Sequence, residues 1–174
     1  MNETLYWAKV KDNDAIIPTK RDEDAGYDIY ACFDENYRFI KANETVMIPT
    51  GIASCIPVGY YMQIEERGSS GSKGLKYSAG VFDAGFRGEW NLMATNTTDK
   101  VIAIIKKDFL ESHKTLFEDL GKRGIMIIYP YEKAIFQAIL HSTNNQIKPK
   151  EIPYNTLKDI PSERGIGRLG SSNK

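Results

Sequence analysis

The chain has 174 residues, and its 23 Lys and Arg balance 23 Asp and Glu, so no net field draws it to nucleic acid or to an anionic membrane. That length suits one domain, residues 1–174, with its own core, and no apolar run approaches the roughly 20 residues that span a bilayer. Two cysteines, Cys32 and Cys55, and two histidines, His113 and His141, lack metal-site spacing, and the opening Met-Asn-Glu-Thr is not a secretory signal, so a cytoplasmic protein is expected.

Short runs rich in β-branched and aromatic residues recur along the chain at 5–10, 27–32, 45–48, 52–56, 60–65, 81–82, 90–94, 101–105, 125–129 and 134–140. Ile-Pro-Thr-Gly at 48–51, Ile-Pro-Val-Gly at 56–59 and a glycine-rich stretch after Arg67 separate several of them. This rhythm predicts a mostly β sandwich, jelly roll or barrel, not βαβ units. Residues 106–121 break it, placing Phe109, Leu110, His113, Leu116, Phe117 and Leu120 on one face of a short inserted helix. Asp108 and Glu111 fit a capping box there, and Gly121 a helix stop. Such a helix either covers a sheet edge or offers a face to a protein partner. Beyond Leu140 the chain is polar, and Pro149, Pro153 and Pro161 prevent long regular structure. Residues 141–174 therefore read as an extended C-terminal arm with a glycine-rich end, ordered by a ligand or a neighbouring subunit.

Four runs carry chemistry. In Gly80-Val-Phe-Asp83-Ala-Gly-Phe86-Arg-Gly88-Glu89, a carboxylate stands at a turn beside a ring. It reads either as a fixed base next to a flat substrate or as a solvated Asp in a β-hairpin. Arg67-Gly-Ser-Ser-Gly-Ser-Lys73-Gly gathers two cations, three hydroxyls and three glycines, as a phosphate nest or a flexible loop would. No Gly-Lys-Ser/Thr closes it, so it is not a Walker loop. Gly165-Ile-Gly167-Arg-Leu-Gly170 matches a dinucleotide fingerprint in letters but lacks the flanking strand and helix. It remains a second phosphate-binding candidate, with Arg164 for charge and Ser171 and Ser172 as donors. Asp28, in Asp24-Ala-Gly-Tyr-Asp28-Ile-Tyr-Ala31, enters a strand where Asp is disfavoured, which points to a cation or its waters.

Taken in order, these runs resemble the five motifs of the trimeric dUTPases, of the phage and bacterial type with an insertion between the third and fourth motifs. Residues 25–31 resemble the first motif, 67–74 the second, 80–89 the third, Ala134-Ile-Phe-Gln137-Ala-Ile-Leu140 the fourth, and 164–172 the fifth. The resemblance implies a jelly-roll subunit in a homotrimer with shared active sites, hydrolysing dUTP to dUMP and pyrophosphate with Mg²⁺. Asp83 would deprotonate the water that attacks the α-phosphorus. Asp28 would hold hydrated Mg²⁺ through water. Arg67, Ser69, Ser70, Gln137, Arg164, Ser171 and Ser172 would bind the phosphates, and Gly68 and Lys73 of the second motif would also contact the substrate. Backbone of the hairpin leading to Gly80 would read uracil, Leu169 of the arm would cover it, and Phe86 would lie under the deoxyribose.

The chain departs from the family's pattern at named places. Gly68 and Ser69 stand where Ser and Gly are usual, Phe86 replaces Tyr, Leu169 replaces Phe, and Glu132-Lys133-Ala134 replaces Gly-Asp-Arg. Two other readings compete: a phage-type regulatory protein that binds a repressor or other protein through 106–121, and the related dCTP deaminases. The second would need a Glu where Met93 stands. No nucleic-acid or membrane partner is expected.

Overall fold

The structure, a computed structural model, describes residues 4–10, 14–144 and 147–162. Alternation of apolar and polar residues sets which face of each strand turns inward. In β6 (Tyr60–Glu66) it buries Met62 and Ile64, and in β9 (Asn91–Asn96) it buries Leu92, Ala94 and Asn96. Twelve strands, β1 to β12, are formed among the described residues. β2 (Gly26–Ile29), β12 (Phe136–Ser142), β6 and β8 (Val81–Asp83) lie side by side in that order. A second sheet orders β4 (Thr45–Pro49), β9 and β7 (Leu75–Ser78). A third orders β11 (Met126–Pro130), β10 (Val101–Ile105) and β3 (Tyr37–Ile40), and β1 (Tyr6–Lys9) pairs with β5 (Ile52–Cys55). The expected mostly β architecture is what forms, with β3 and β7 as strands that the sequence reading did not single out.

Among the described residues one strand pair is parallel, β10 with β11, and it explains the helical segment. Parallel neighbours need a crossover of about a dozen residues or more, and α2 (Lys107–Ser112) and α3 (Lys114–Lys122) supply it. The insertion is thus two helices in a β-α-α-β unit, where one helix and no such unit were expected. The break falls at His113 (φ −120°, ψ 25°), whose ring stacks on Phe109 at 4.2 Å. Phe117 is buried with Ala103 and Ile105, and Phe109, Leu110 and Leu120 pack around them, but Leu116 stays exposed. The expected capping box is replaced by the Glu132 carboxylate, which accepts the Lys107 N–H at 2.8 Å from outside the helix. The chain passes Gly121 and turns out of α3 only where Gly124 takes φ +68°.

The described residues fall into two compact units that divide after Thr143. The first holds all twelve strands and one large core, from Ile29 and Ile40 to Trp90, Ile104 and Phe136. The second contains one short helix, α4 (Tyr154–Lys158), entered through Pro153. Arg164, Leu169, Ser171 and Ser172, the fifth-motif expectations, lie outside the described residues.

Trp90 anchors the junction between the first two sheets. It is fully buried, its indole N–H donates to Ser54 Oγ at 3.1 Å, and its ring stacks on Phe82 at 3.9 Å and 5°. Removing so large a side chain leaves a cavity that its neighbours cannot fill. Trp90→Ala is expected to lower the unfolding free energy by about 3–5 kcal/mol in urea denaturation; a loss under about 1 kcal/mol would contradict this packing role.

Candidate active site

Register brings the first, second and fourth runs together. Gln137 of β12 faces Asp28 of β2 on one side and Glu65 of β6 on the other, and Arg67 follows directly on β6. The Arg67 guanidinium grips Asp28 with two contacts, Nε to Oδ1 at 2.9 Å and Nη2 to Oδ2 at 3.2 Å. Its Nη1 donates to the Ala134 carbonyl at 3.2 Å. Gln137 Nε2 donates to the Glu66 carbonyl at 2.9 Å. Gly26 is required beside it, since a Cβ there would sit 2.8 Å from Gln137 Oε1. A carboxylate in a strand is thus explained by its partner: Asp28 is the acceptor that orients Arg67.

These groups open on a cavity of about 650 Å³ lined by Thr19, Lys20, Arg21, Asp24, Ala25, Gly26, Asp28, Arg67, Gly68, Ser69 and Gln137. Five of the expected site residues, Asp28, Arg67, Gly68, Ser69 and Gln137, meet here. The loop from Arg67 is not open: residues Gly68–Gly71 form a single helical turn, α1. Ser70 is fully buried, and its hydroxyl accepts the Arg67 N–H at 3.2 Å and donates to the Arg67 carbonyl at 3.1 Å. Lys73 donates to the Ile128 carbonyl at 3.1 Å and lies over the Tyr129 ring. Burial, and then the nearby Lys133 charge, lower its pKa from the ordinary lysine value.

Tyr129 braces this loop, and no sequence run pointed to it. Its hydroxyl donates to the Ala134 carbonyl at 2.7 Å and meets Ser69 Oγ at 3.3 Å. The same carbonyl receives Arg67. Thr19, Lys20, Arg21 and Asp24 were also missed; the charged run Lys-Arg-Asp just ahead of Asp28 was their signal in the sequence.

The third run stands apart. Asp83 ends β8 opposite Tyr61 of β6, so it lies near the start of the strand whose far end leads to Arg67. Six residues of strand separate the two levels, about 20 Å at the rise of a β-strand. Asp83 is exposed, and its carbonyl accepts the Phe86 N–H at 3.1 Å to close the turn. Phe86 is 42% exposed and leans on Phe82 at 6.0 Å. β8 pairs with β6 and β9 with β4 and β7, so the turn crosses between sheets and is not the β-hairpin considered from sequence. The same is true before it: β7 and β8 lie in different sheets, joined by Ala79 (φ 54°) and Gly80. A Cβ at Gly80 would come within 2.7 Å of the Tyr77 ring, so glycine is required there.

No group of three or more His, Cys, Asp or Glu among the described residues is placed to hold a metal by itself. One carboxylate at the cavity does suit a hydrated divalent ion that arrives on phosphate oxygens. The bracing role of Tyr129 is testable without substrate. Tyr129→Phe leaves the ring in place but unpairs its hydroxyl's partners, and is expected to cost about 1 kcal/mol in urea denaturation; an unchanged midpoint would refute it.

A family model described as dUTPase matches residues 12–110. The deoxyuridine 5'-triphosphate nucleotidohydrolase of Saccharomyces cerevisiae is 38% identical over 96 residues, 54% of this chain and 63% of that one. Its counterpart in Syntrophotalea carbinolica is 30% identical over 118 residues, 66% of this chain and 71% of the relative. The matched stretch spans 53% of the Orientia tsutsugamushi counterpart and 8% of an equine infectious anemia virus Pol polyprotein. Among solved structures, a Staphylococcus bacteriophage 80alpha dUTPase mutant with dUpNHpp superposes with a TM-score of 0.69 at 20% identity, covering 99% of each chain. The EIAV dUTPase gives 0.60, also at 20% identity, over 87% of this chain and 98% of that one. These two share the fold; the family match, which spans more than half of the 174 residues, adds the lineage, and the chain belongs to the dUTPase family.

Proposed function

We propose that the protein hydrolyses dUTP to dUMP and pyrophosphate, and that it does so as a homotrimer whose sites are shared between copies. The observation that carries this reading is the cavity in which Asp28, Arg67, Ser69 and Gln137 converge from two neighbouring strands, β2 and β12, and the turn after β6. A guanidinium fork and an amide suit phosphate oxygens, and a dry, preset arrangement of donors stabilises charge that builds on the leaving group. Within this loop Ser69 lines the cavity, whereas Ser70 holds the turn, which supports Ser69 as the phosphate contact in a loop whose letters depart from the family's order.

In this mechanism Arg67, Gln137 and Ser69 bind the triphosphate and fix the α-phosphorus. Asp83 takes a proton from water as the water oxygen bonds to that phosphorus and the bond to the bridging oxygen breaks, releasing pyrophosphate. Phe86 supports the sugar, and the backbone around Gly80 reads the uracil edge. Asp28 would hold a hydrated Mg²⁺ through its waters, and the ion would supply charge neutralisation. Asp83 and Arg67 sit at opposite ends of β6 in one chain, which supports a site completed by a second copy. The chemistry belongs with the cytoplasmic nucleotide pool.

The two competing readings gain less. Met93 sits in β9 where a deaminase would need its Glu. The inserted helices bury Phe117 against their own sheet, so most of their apolar face is occupied within the chain. The test is direct: the parent is expected to release pyrophosphate from dUTP in the presence of Mg²⁺ and to spare UTP and dCTP. Asp83→Asn is expected to lose at least about 100-fold in kcat. An Asn variant as active as the parent, or ammonia released from dCTP, would overturn the proposal.

A further inference from the structure

The loop ahead of β2 puts two more cations on the wall of the same cavity, and neither belongs to any of the five motif-like runs. Lys20 and Arg21 line it together with Thr19 and Asp24, and so do Arg67, Ser69 and Gln137. The charged side chains around the cavity are therefore Lys20, Arg21 and Arg67 against Asp24 and Asp28. Together they leave one net positive charge, and Lys20 and Arg21 add donors for an anion to those of Arg67.

The geometry of the two residues is preset. Asp24 holds the Arg21 guanidinium with two contacts, Nε to Oδ2 at 2.8 Å and Nη2 to Oδ1 at 2.9 Å. The backbone closes the same turn, Asp24 N–H donating to the Arg21 carbonyl at 3.1 Å. Lys20 Nζ donates to the Asp24 carbonyl at 3.0 Å and the Arg21 carbonyl at 3.3 Å, and lies 5.7 Å over the Tyr27 ring. A guanidinium has five N–H donors and an ammonium three. Those contacts use two of each, which leaves donors on both residues for a ligand. An exposed ion pair adds little to stability, and Arg21 is 87% exposed, so orientation is what this pair supplies.

We propose that Lys20 and Arg21 bind the pyrophosphate end of the triphosphate, so that this wall of the cavity selects nucleotides by phosphate number. The inference rests on the reading of the cavity as the triphosphate site and extends it to residues outside the motifs. Arg67, Ser69 and Gln137 hold the phosphate that is attacked; Lys20 and Arg21 hold the group that leaves. Substrate and pyrophosphate contact this pair, and the monophosphate product does not.

The experiment compares the assembled parent with a Lys20→Ala/Arg21→Ala double variant. Both side chains are exposed, so the double variant is expected to unfold at the parent's midpoint. Calorimetric titration with inorganic pyrophosphate and with dUMP is paired with steady-state hydrolysis of dUTP. The double variant is expected to bind pyrophosphate and to show a KM for dUTP about 10-fold weaker, as loss of charge-assisted hydrogen bonds dictates. Its dUMP affinity is expected to stay within about twofold of the parent, since no contact to the monophosphate is removed. Arg21→Lys, which keeps charge but loses the fork, is expected to restore only part of the pyrophosphate affinity. Pyrophosphate affinity and KM equal to the parent's would overturn the assignment, as would an equal loss for dUMP. If the parent itself neither hydrolyses dUTP nor binds pyrophosphate, the reading of the cavity fails; if the parent does both and the double variant matches it, only the role of Lys20 and Arg21 fails.

Discussion

The ion pair between Asp28 and Arg67 is the constraint on which the rest of the site depends. It ties the second strand of the chain to the turn after β6 across β12, and it leaves the third guanidinium nitrogen to reach the Ala134 carbonyl. Both side chains keep about a third of their exposure, 31% and 33%, so the pair is neither fully screened nor fully desolvated. Pairs of this kind add little net stability but fix geometry, because each leaves an uncompensated charge if the other is lost. On the proposed reading, a phosphate that enters the cavity meets an arginine already held in place by Asp28 and the Ala134 carbonyl.

A second constraint follows from β6 itself. Its seven residues carry one half of the site at each end, Asp83 opposite Tyr61 and Arg67 just beyond Glu66. A straight, centrally paired strand cannot bring its own ends together. Two other features keep the Asp83 end in place: Phe86 rests on Phe82, and Phe82 on the buried Trp90. Core packing on one side and an ion pair on the other therefore hold both ends rigid, as the proposed assembly of one catalytic centre from separate copies requires.

Much of this was legible in the residue order. Ten of the strands announced themselves through alternation and turn residues, because one buried face forces a period of two. β3 did not: Tyr37-Arg-Phe-Ile has its aromatic residues largely exposed and stacked on each other at 4.6 Å, so its pattern reads as surface. β7 was hidden because Leu75-Lys-Tyr-Ser directly follows the glycine-rich loop. The parallel pairing of β10 and β11 was invisible, since it depends on which strands meet after the helices and not on any local period. Helix limits missed for a related reason: Glu132, 25 residues away in sequence, caps α2 in place of a local side chain. At the site, Asp28, Arg67 and Ser69 stood out by residue type and Gln137 through the resemblance of its run, whereas Lys20 and Arg21 left only a short charged run as a signal and Tyr129 meets Ser69 only through folding.

The most direct test of the shared site mixes two damaged proteins. Asp83→Asn and Arg67→Ala are each purified, then dissociated together and reassociated at equal amounts. Each trimer site that takes its carboxylate from an Arg67→Ala copy and its arginine from an Asp83→Asn copy is intact, and random assembly makes that about a quarter of all sites. Recovery of dUTP hydrolysis to about that fraction of the parent's rate is the predicted result. No recovery from a mixture that has formed mixed trimers, or full activity from a single dissociated copy of the parent, would contradict the account.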